Sequence, residues 1–131
     1  MNNTSSYTRH NLELRAAEYY ASIRKLENEW KSLEDLTPQL AEFEHYVRAG
    51  NCDAAAKLVN YIDTACLFRW GQYARLVDMR TRLQGQLANP ILQMFNHGRL
   101  ARAYHDQGKL EAAKALYQTA ATLALENDAQ R

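Results

Sequence analysis

The chain contains few residues that break helices and no excess charge. Its 131 residues include five glycines and two prolines, which argues against turn-rich all-β folds and against disordered linkers. Sixteen basic and fifteen acidic residues leave a net charge of +1, so overall charge does not favour DNA or a membrane surface. At about 150 residues per domain, this length predicts one domain. Such a domain buries roughly two-thirds of its unfolded surface.

The chain also has few cysteines, no long apolar run and no pattern typical of a secretory leader. Cys52 and Cys66 stand fourteen positions apart without a Cys-x-x-Cys motif, whereas a zinc site or disulfide framework needs more ligands or closer spacing. We therefore expect two small buried thiols in a reducing compartment. No run approaches the ~20 apolar residues of a membrane span, and residues 1–6 lack the basic and apolar regions of a signal peptide. These features predict a cytoplasmic protein without a membrane partner.

Apolar residues recur at steps of three or four almost everywhere, which is typical of helices. One stripe covers about 8–34, with a break near 27–29. Thr37-Pro38 and Asn89-Pro90 predict helix starts, because the first residue can cap and proline fits the first turn. The remaining helices are expected to span Ala55 to Ile62, Asp63 (as a cap) to Gly71, Gln72 to Leu83, and 110 to 126. No window has the period of a strand. The expected fold class is all-α.

Residues 94–127 carry a more specific pattern. In the first helix the pattern has an apolar, a small and an aromatic residue, Leu100, Ala101 and Tyr104. A turn glycine, Gly108, follows, and the second helix has a small, an aromatic and another small residue, Ala113, Tyr117 and Ala120. This pattern resembles a tetratricopeptide repeat (TPR), with His97 at the leading tryptophan position and Leu125 at the usual proline. Ala101, Ala113 and Ala120 would allow two helix backbones to approach, with the larger residues filling the space beside them.

Two weaker units precede that repeat. Tyr46, Gly50 and Ala55 reproduce part of its spacing, and the segment from Phe68 to Tyr73 marks another turn. The resemblance therefore implies antiparallel helix pairs stacked as a short right-handed α-solenoid. We divide 1–131, as one helical domain, into an N-terminal segment (7–36), two degenerate helix-pair units (37–88), a well-matched TPR unit (89–127) and a tail (128–131).

Three further segments, 14–20, 30–43 and 69–80, resemble the helical stretch that follows the ATPase module in bacterial STAND (NB-ARC or NACHT-like) signalling proteins. The resemblance covers roughly 9–127. The chain lacks the Gly-x4-Gly-Lys-Ser/Thr phosphate loop. The resemblance thus implies a sensor or scaffold part that binds a protein or peptide, or an ATPase module of the same system, without turnover.

Catalytic or metal chemistry has little support in the pattern. The sequence Glu42-x-x-His45 is half of a di-iron motif and has no second copy. Cys66 follows Asp63 at helical spacing, but no histidine is near. The carboxylate pairs Glu34-Asp35 and Glu42/Glu44 are expected to be solvated. We therefore predict no enzyme and no cofactor.

Charge is nevertheless uneven along the chain. Residues 1–46 hold eight acidic and five basic residues, a balance of −3, whereas 47–108 hold eight basic and four acidic residues, a balance of +4. Seven of those eight bases are arginine. They indicate either an ordinary charged helix exterior or an interaction surface, since arginine forks onto carboxylates and phosphates. A nucleic-acid-binding adaptor that uses this middle region is the alternative function.

The TPR register places a candidate partner-binding groove on the helix that begins at Asn89-Pro90. Its residues would be Phe95, Arg99, Arg102 and His105. The last helix is apolar on more than one side, with leucines and alanines spread over 113–125. It is therefore expected either to pack on a second subunit, giving a homodimer, or to continue into a longer chain.

Overall fold

The computed structural model describes residues 3–129, with side chains for 8–128. Six α-helices follow one another: α1 (Asn3–Ser22), α2 (Thr37–Arg48), α3 (Cys52–Ile62), α4 (Tyr73–Leu83), α5 (Pro90–Asp106) and α6 (Leu110–Ala129). A π-helical turn, Asp63–Leu67, continues α3. No strand occurs in this part of the chain, which confirms the all-α prediction.

Two helix starts follow from local chemistry. Pro38 lies in the first turn of α2. The expected cap by Thr37 is wrong, because Thr37 is already the first helical residue and its hydroxyl donates to the carbonyl oxygen of Glu34 at 2.8 Å. At α5, the Asn89 side chain accepts hydrogen bonds from the backbone N–H groups of Ile91 and Leu92, and Pro90 occupies the first helical position. Gly108 ends α5 with φ of +80°, a left-handed conformation that a side chain disfavours. The predicted boundaries of α5 are therefore confirmed.

The first helix is shorter than its apolar stripe predicts. α1 ends at Ser22, and two 3-10 turns, Glu27–Glu29 and Leu33–Leu36, lead into α2. Asp35 stabilises this connection: its carboxylate accepts the N–H groups of Lys31 and Ser32 at 2.9 and 3.1 Å and the Lys25 ammonium at 2.6 Å. The break expected near 27–29 is present as a 3-10 turn. The helical pattern expected to run up to it and to continue to residue 34 is wrong, because these bonds favour turns over a further helical run.

The same bonds predict a pH response. The Lys25 hydrogen bond, followed by the backbone donors, lowers the pKa of Asp35 to about 2. A lowered folded-state pKa means that the contribution to stability is present above about pH 4 and is lost as pH falls toward 2. NMR titration of the Asp35 carboxyl carbon should give a midpoint near 2, and Lys25→Gln should move it upward. A midpoint near 4 in the wild-type chain would contradict this.

The main core joins α2, α3, the π-helical turn, α4 and α5. Its fully buried members include Phe43, Val59, Ile62, Leu67 and Leu83. Helices that are neighbours in the chain pack against each other, and α3 also contacts α5. Burial of these side chains is the main source of stability for such a chain.

The first and last helices of the described residues each pack on one helix that contributes to this core. α1 packs chiefly on α2, where His10 Nδ1 lies 2.7 Å from the carbonyl oxygen of Ala49. α6 packs chiefly on α5, and Leu100, Ala101 and Ala113 are buried there as expected. Tyr117, however, is 42% exposed. It lines an open cleft beside Ala113, so it fills the space beside the α5–α6 crossing only in part.

No helix in the described range is long and apolar enough to cross a bilayer.

Candidate interaction surface

A buried ionic network lies where the π-helical turn meets α4 and α5. The Asp63 carboxylate accepts two hydrogen bonds from Arg80, at 2.6 and 3.2 Å, and two from Arg99, at 3.2 and 3.3 Å. Arg80 has no exposed surface. Two further donors, both on Nη1, bond to Asn60 and Asn96 Oδ1, each at 3.0 Å. A fully buried guanidinium is tolerated only with such extensive pairing.

The network also fixes local backbone geometry. Asn96 Nδ2 donates to the carbonyl oxygen of Arg80 at 3.0 Å, so α5 is bonded to α4 through both side chain and backbone. Burial lowers the pKa of Arg80 from its usual value, and the Asp63 charge opposes that shift. The sequence-based interpretation of Asp63 as a helix cap is wrong: its side chain makes no cap bond. Its single negative charge is shared by two arginines instead.

Above this network, two arginines share one aromatic ring. The guanidinium carbons of Arg99 and Arg102 lie 5.4 and 4.8 Å from the Phe68 ring centroid. The Arg80 guanidinium lies 5.8 Å from the Phe95 ring. Stacking of this kind holds an arginine in place without consuming its hydrogen-bond donors. We call Phe68, Phe95, Arg99 and Arg102 the arginine–phenylalanine patch.

The residues of the patch differ in how exposed their side chains are and in whether their charges are already paired. Arg102 has a half-exposed side chain and an ion pair with Asp106 at 3.2 Å, one helical turn on. Phe95 is 43% exposed. Arg99 is mostly buried, and its guanidinium is committed to Asp63. Arg102 is therefore the cation, and Phe95 the apolar side chain, that this patch presents to solvent.

His105 does not join the patch. It lines an apolar cleft of about 380 Å³ between α5 and α6, together with Leu110, Ala113, Tyr117 and Ala121. Of the four predicted groove residues, the structure thus brings Arg99 and Arg102 over Phe68, places Phe95 against Arg80, and places His105 in the cleft beside α6. Phe68 was outside the predicted site, because its position depends on the π-helical turn.

The candidate carboxylate and histidine sites are occupied by ion pairs. Glu42 is buried and accepts three hydrogen bonds from Arg24, at 2.6 to 2.9 Å, so its expected solvation is wrong. Glu44 pairs with Arg82. His45 Nδ1 lies 3.0 Å from Glu13 Oε2. Within the described residues, no group of three or more histidine, cysteine or acidic side chains could hold a metal ion.

The two cysteines are buried within the fold, and His97 is partly buried. Cys52 and Cys66 are free and buried, as predicted, and burial raises the pKa of both thiols, which disfavours the nucleophilic thiolate. His97 is partly buried, with Gln84 Nε2 3.2 Å from its Nδ1. Burial lowers the pKa of His97, so the neutral ring is favoured.

The arginines of the middle region (47–108) include internal residues as well as surface ones, whereas the sequence suggested either a charged helix exterior or an interaction surface. Arg80 and Arg99 are internal, while Arg82 and Arg102 pair with Glu44 and Asp106 near the surface. Four of the eight bases between 47 and 108 are therefore committed to carboxylates. The signal that could have identified the network is Asp63, a single acid between the largely apolar segments 58–62 and 65–68. When such a segment is buried, its acidic side chain is buried with it, and a buried acid is rarely found without a cation paired to it.

Neither protein-family models, nor curated proteins, nor solved structures gave a match to this chain.

Proposed function

We propose that this chain is a non-catalytic protein–protein interaction module, of the sensor or scaffold kind, in a bacterial signalling system. In this proposal its helix pairs form a short TPR-like right-handed α-solenoid. The observation that carries the proposal is the arginine–phenylalanine patch. A preorganised arginine beside exposed aromatic surface is the combination that dominates binding energy in protein interfaces.

The patch favours a partner segment that combines a carboxylate with an apolar side chain. Arg102 is held over Phe68, so it would lose little conformational entropy on pairing with a carboxylate. Phe95 and the Phe68 ring supply the neighbouring apolar area. The occupant would be a protein or peptide, either separate or part of an ATPase module of the same system, as the resemblance to STAND proteins implies.

A nucleic-acid adaptor has weaker support. Phosphate binding depends on several free cations along one surface. In the arginine-rich region Arg80 and Arg99 are internal and Arg82 is paired with Glu44, which leaves fewer cations for phosphates. A titration with duplex and single-stranded DNA at increasing salt distinguishes the two functions. Submicromolar DNA binding with a steep salt dependence would favour the adaptor.

The decisive variant is Arg102→Glu, which replaces the presented cation by an anion. Proteins captured by the wild-type chain would be purified and titrated calorimetrically against both forms. We expect the dissociation constant of a true partner to rise at least tenfold, about 1.4 kcal/mol or more, because a charge-assisted pair becomes a repulsion.

Arg15→Glu is the matched control, since Arg15 is an exposed arginine of α1 that lies outside the patch. Circular dichroism would verify that both variants remain helical. If every purified partner bound the two variants equally well, the patch would not be the binding surface. Turnover of a generic ester, a phosphate ester or ATP by the purified protein would contradict the non-catalytic assignment.

A further inference from the structure

One side of α6 is apolar and has no covering element within the described part of the chain. Leu110 and Leu125 are 58% and 71% exposed. Together with Tyr117 they flank Ala121, and the apolar cleft beside His105 runs along the same side. Ala113, which borders this cleft, is buried where α6 packs on α5. An apolar strip of this extent on a helix marks an interaction surface.

The residues along this strip have a symmetric order. Lys114, Tyr117, Ala121, Leu125 and Asp128 follow one another at spacings of three, four, four and three, which keeps them on one face of a helix. A small residue stands at the centre, a large apolar residue on each side, and opposite charges at the two ends. Neither Lys114 nor Asp128 makes an ion pair within the described residues.

We propose that a second copy of this chain binds here, with the two α6 helices antiparallel and a two-fold axis passing beside Ala121. Reversal about Ala121 brings Tyr117 against Leu125 of the partner subunit. It also brings Lys114 against Asp128 of the partner subunit, and symmetry repeats each contact. The strip is therefore complementary to itself, as a closed two-fold interface requires.

The helix geometry suits this arrangement. Ala121 at the axis allows the two backbones to approach to about 8 Å, the short end of the usual range. Tyr117 and Leu125 then fill the space on either side of the crossing. The cleft beside His105 leaves room for side chains of the second copy.

Charge complementarity selects the antiparallel orientation. A parallel pair would oppose Lys114 to Lys114 and Asp128 to Asp128 of the partner subunit, which is repulsive at both ends. Pairing of α6 with the exposed residues of α1, such as Leu12 and Tyr19, would be heterologous and would produce rings or open chains. The strip from 114 to 128 is only about 21 Å long at 1.5 Å per residue, so we expect a dimer with a micromolar dissociation constant.

Sedimentation equilibrium from 1 to 500 µM provides the first test. Lys114→Glu and Asp128→Lys, each alone, should raise the dimer dissociation constant about tenfold, because two attractive pairs become repulsive. An equimolar mixture of the two variants should recover wild-type affinity, since each interface pair is then again of opposite charge. Weakening by each single variant, followed by recovery to wild-type affinity in the mixture, identifies the antiparallel arrangement, because a parallel pair is already repulsive at both ends in the wild-type chain.

Cysteine cross-linking tests the axis directly. Ala121→Cys should form an intermolecular disulfide under mild oxidation, because the two residues face each other at the crossing. Thr119→Cys, about 160° away around the helix at 100° per residue, is the matched control and should stay monomeric on a non-reducing gel. Cys52 and Cys66 are buried and provide the same background in both.

Several results would overturn the proposal. They are a wild-type chain that stays monomeric at 500 µM, a mixture of charge variants that remains as weak as either alone, or equal cross-linking at 119 and 121. Species larger than dimers would indicate the heterologous contact with α1 instead. None of these outcomes depends on the arginine–phenylalanine patch, so they leave the proposed partner-binding function to its own test.

Discussion

Asp63→Asn is expected to lower the free energy of unfolding by about 3–5 kcal/mol, because it leaves the buried Arg80 charge without an anion. The substitution keeps the shape of the side chain, and the amide can still accept one hydrogen bond. It cannot neutralise the two guanidinium groups that Asp63 contacts. Urea denaturation at pH 7, followed by circular dichroism, would measure the loss.

The matched control for this prediction is Asp106→Asn. Asp106 also pairs with an arginine, but Arg102 is half exposed, and such pairs contribute at most about 1 kcal/mol. A double-mutant cycle of Asp63→Asn with Arg80→Met should show a coupling of more than about 1 kcal/mol. Similar losses for the two aspartate variants, or additive effects in the cycle, would mean that the buried pair is not coupled.

Phe43→Ala should cost about 3–5 kcal/mol, the usual range for removing a fully buried aromatic side chain. Phe43 connects α2 to the main core and has no exposed surface. Its ring also lies 5.6 Å from the Arg82 guanidinium, so the cavity would loosen the position of that arginine as well. The urea midpoint should fall with little change in slope, since the surface exposed on unfolding is nearly the same.

Two control variants test whether the loss of stability in Phe43→Ala comes from the burial of the ring. Phe43→Leu preserves most of the apolar volume and should cost less than about 1.5 kcal/mol. Phe95→Ala removes the same ring from a 43% exposed position and should cost less than about 1 kcal/mol, since surface substitutions have small effects. If Phe95→Ala were as destabilising as Phe43→Ala, the assignment of Phe43 to the core would be wrong.

Much of the helix arrangement could be predicted from the sequence. Asn89 and Pro90 signal the start of α5 because the cap bonds reach only two or three residues ahead. Gly108 signals its end for an equally local reason. The apolar spacing of α3 also indicates which of its sides is buried. Prediction was less successful for 23–36, because the apolar stripe there keeps a helical period while Asp35 stabilises turns.

The candidate surface was only partly predictable. Arg102 and Phe95 followed from the repeat register, and both are exposed. Phe68 could not be assigned, since it reaches Arg99 and Arg102 only after the π-helical turn has shifted the register of the chain. His105 was assigned to the same groove, but it lies toward α6 because its side chain is on a different side of α5.

The sequence by itself determined that the chain is helical, where most helices begin and end, and that both cysteines are buried. These properties depend on interactions within a few residues or on the period of the apolar side chains. Tertiary structure alone decided which charges are internal. Asp63 meets Arg80 and Arg99 across 17 and 36 positions, and Glu42 meets Arg24 across 18. Pairing over such separations depends on how the helices pack. The packing buries the carboxylate, and a buried carboxylate is stable only beside a cation that the same packing brings close to it.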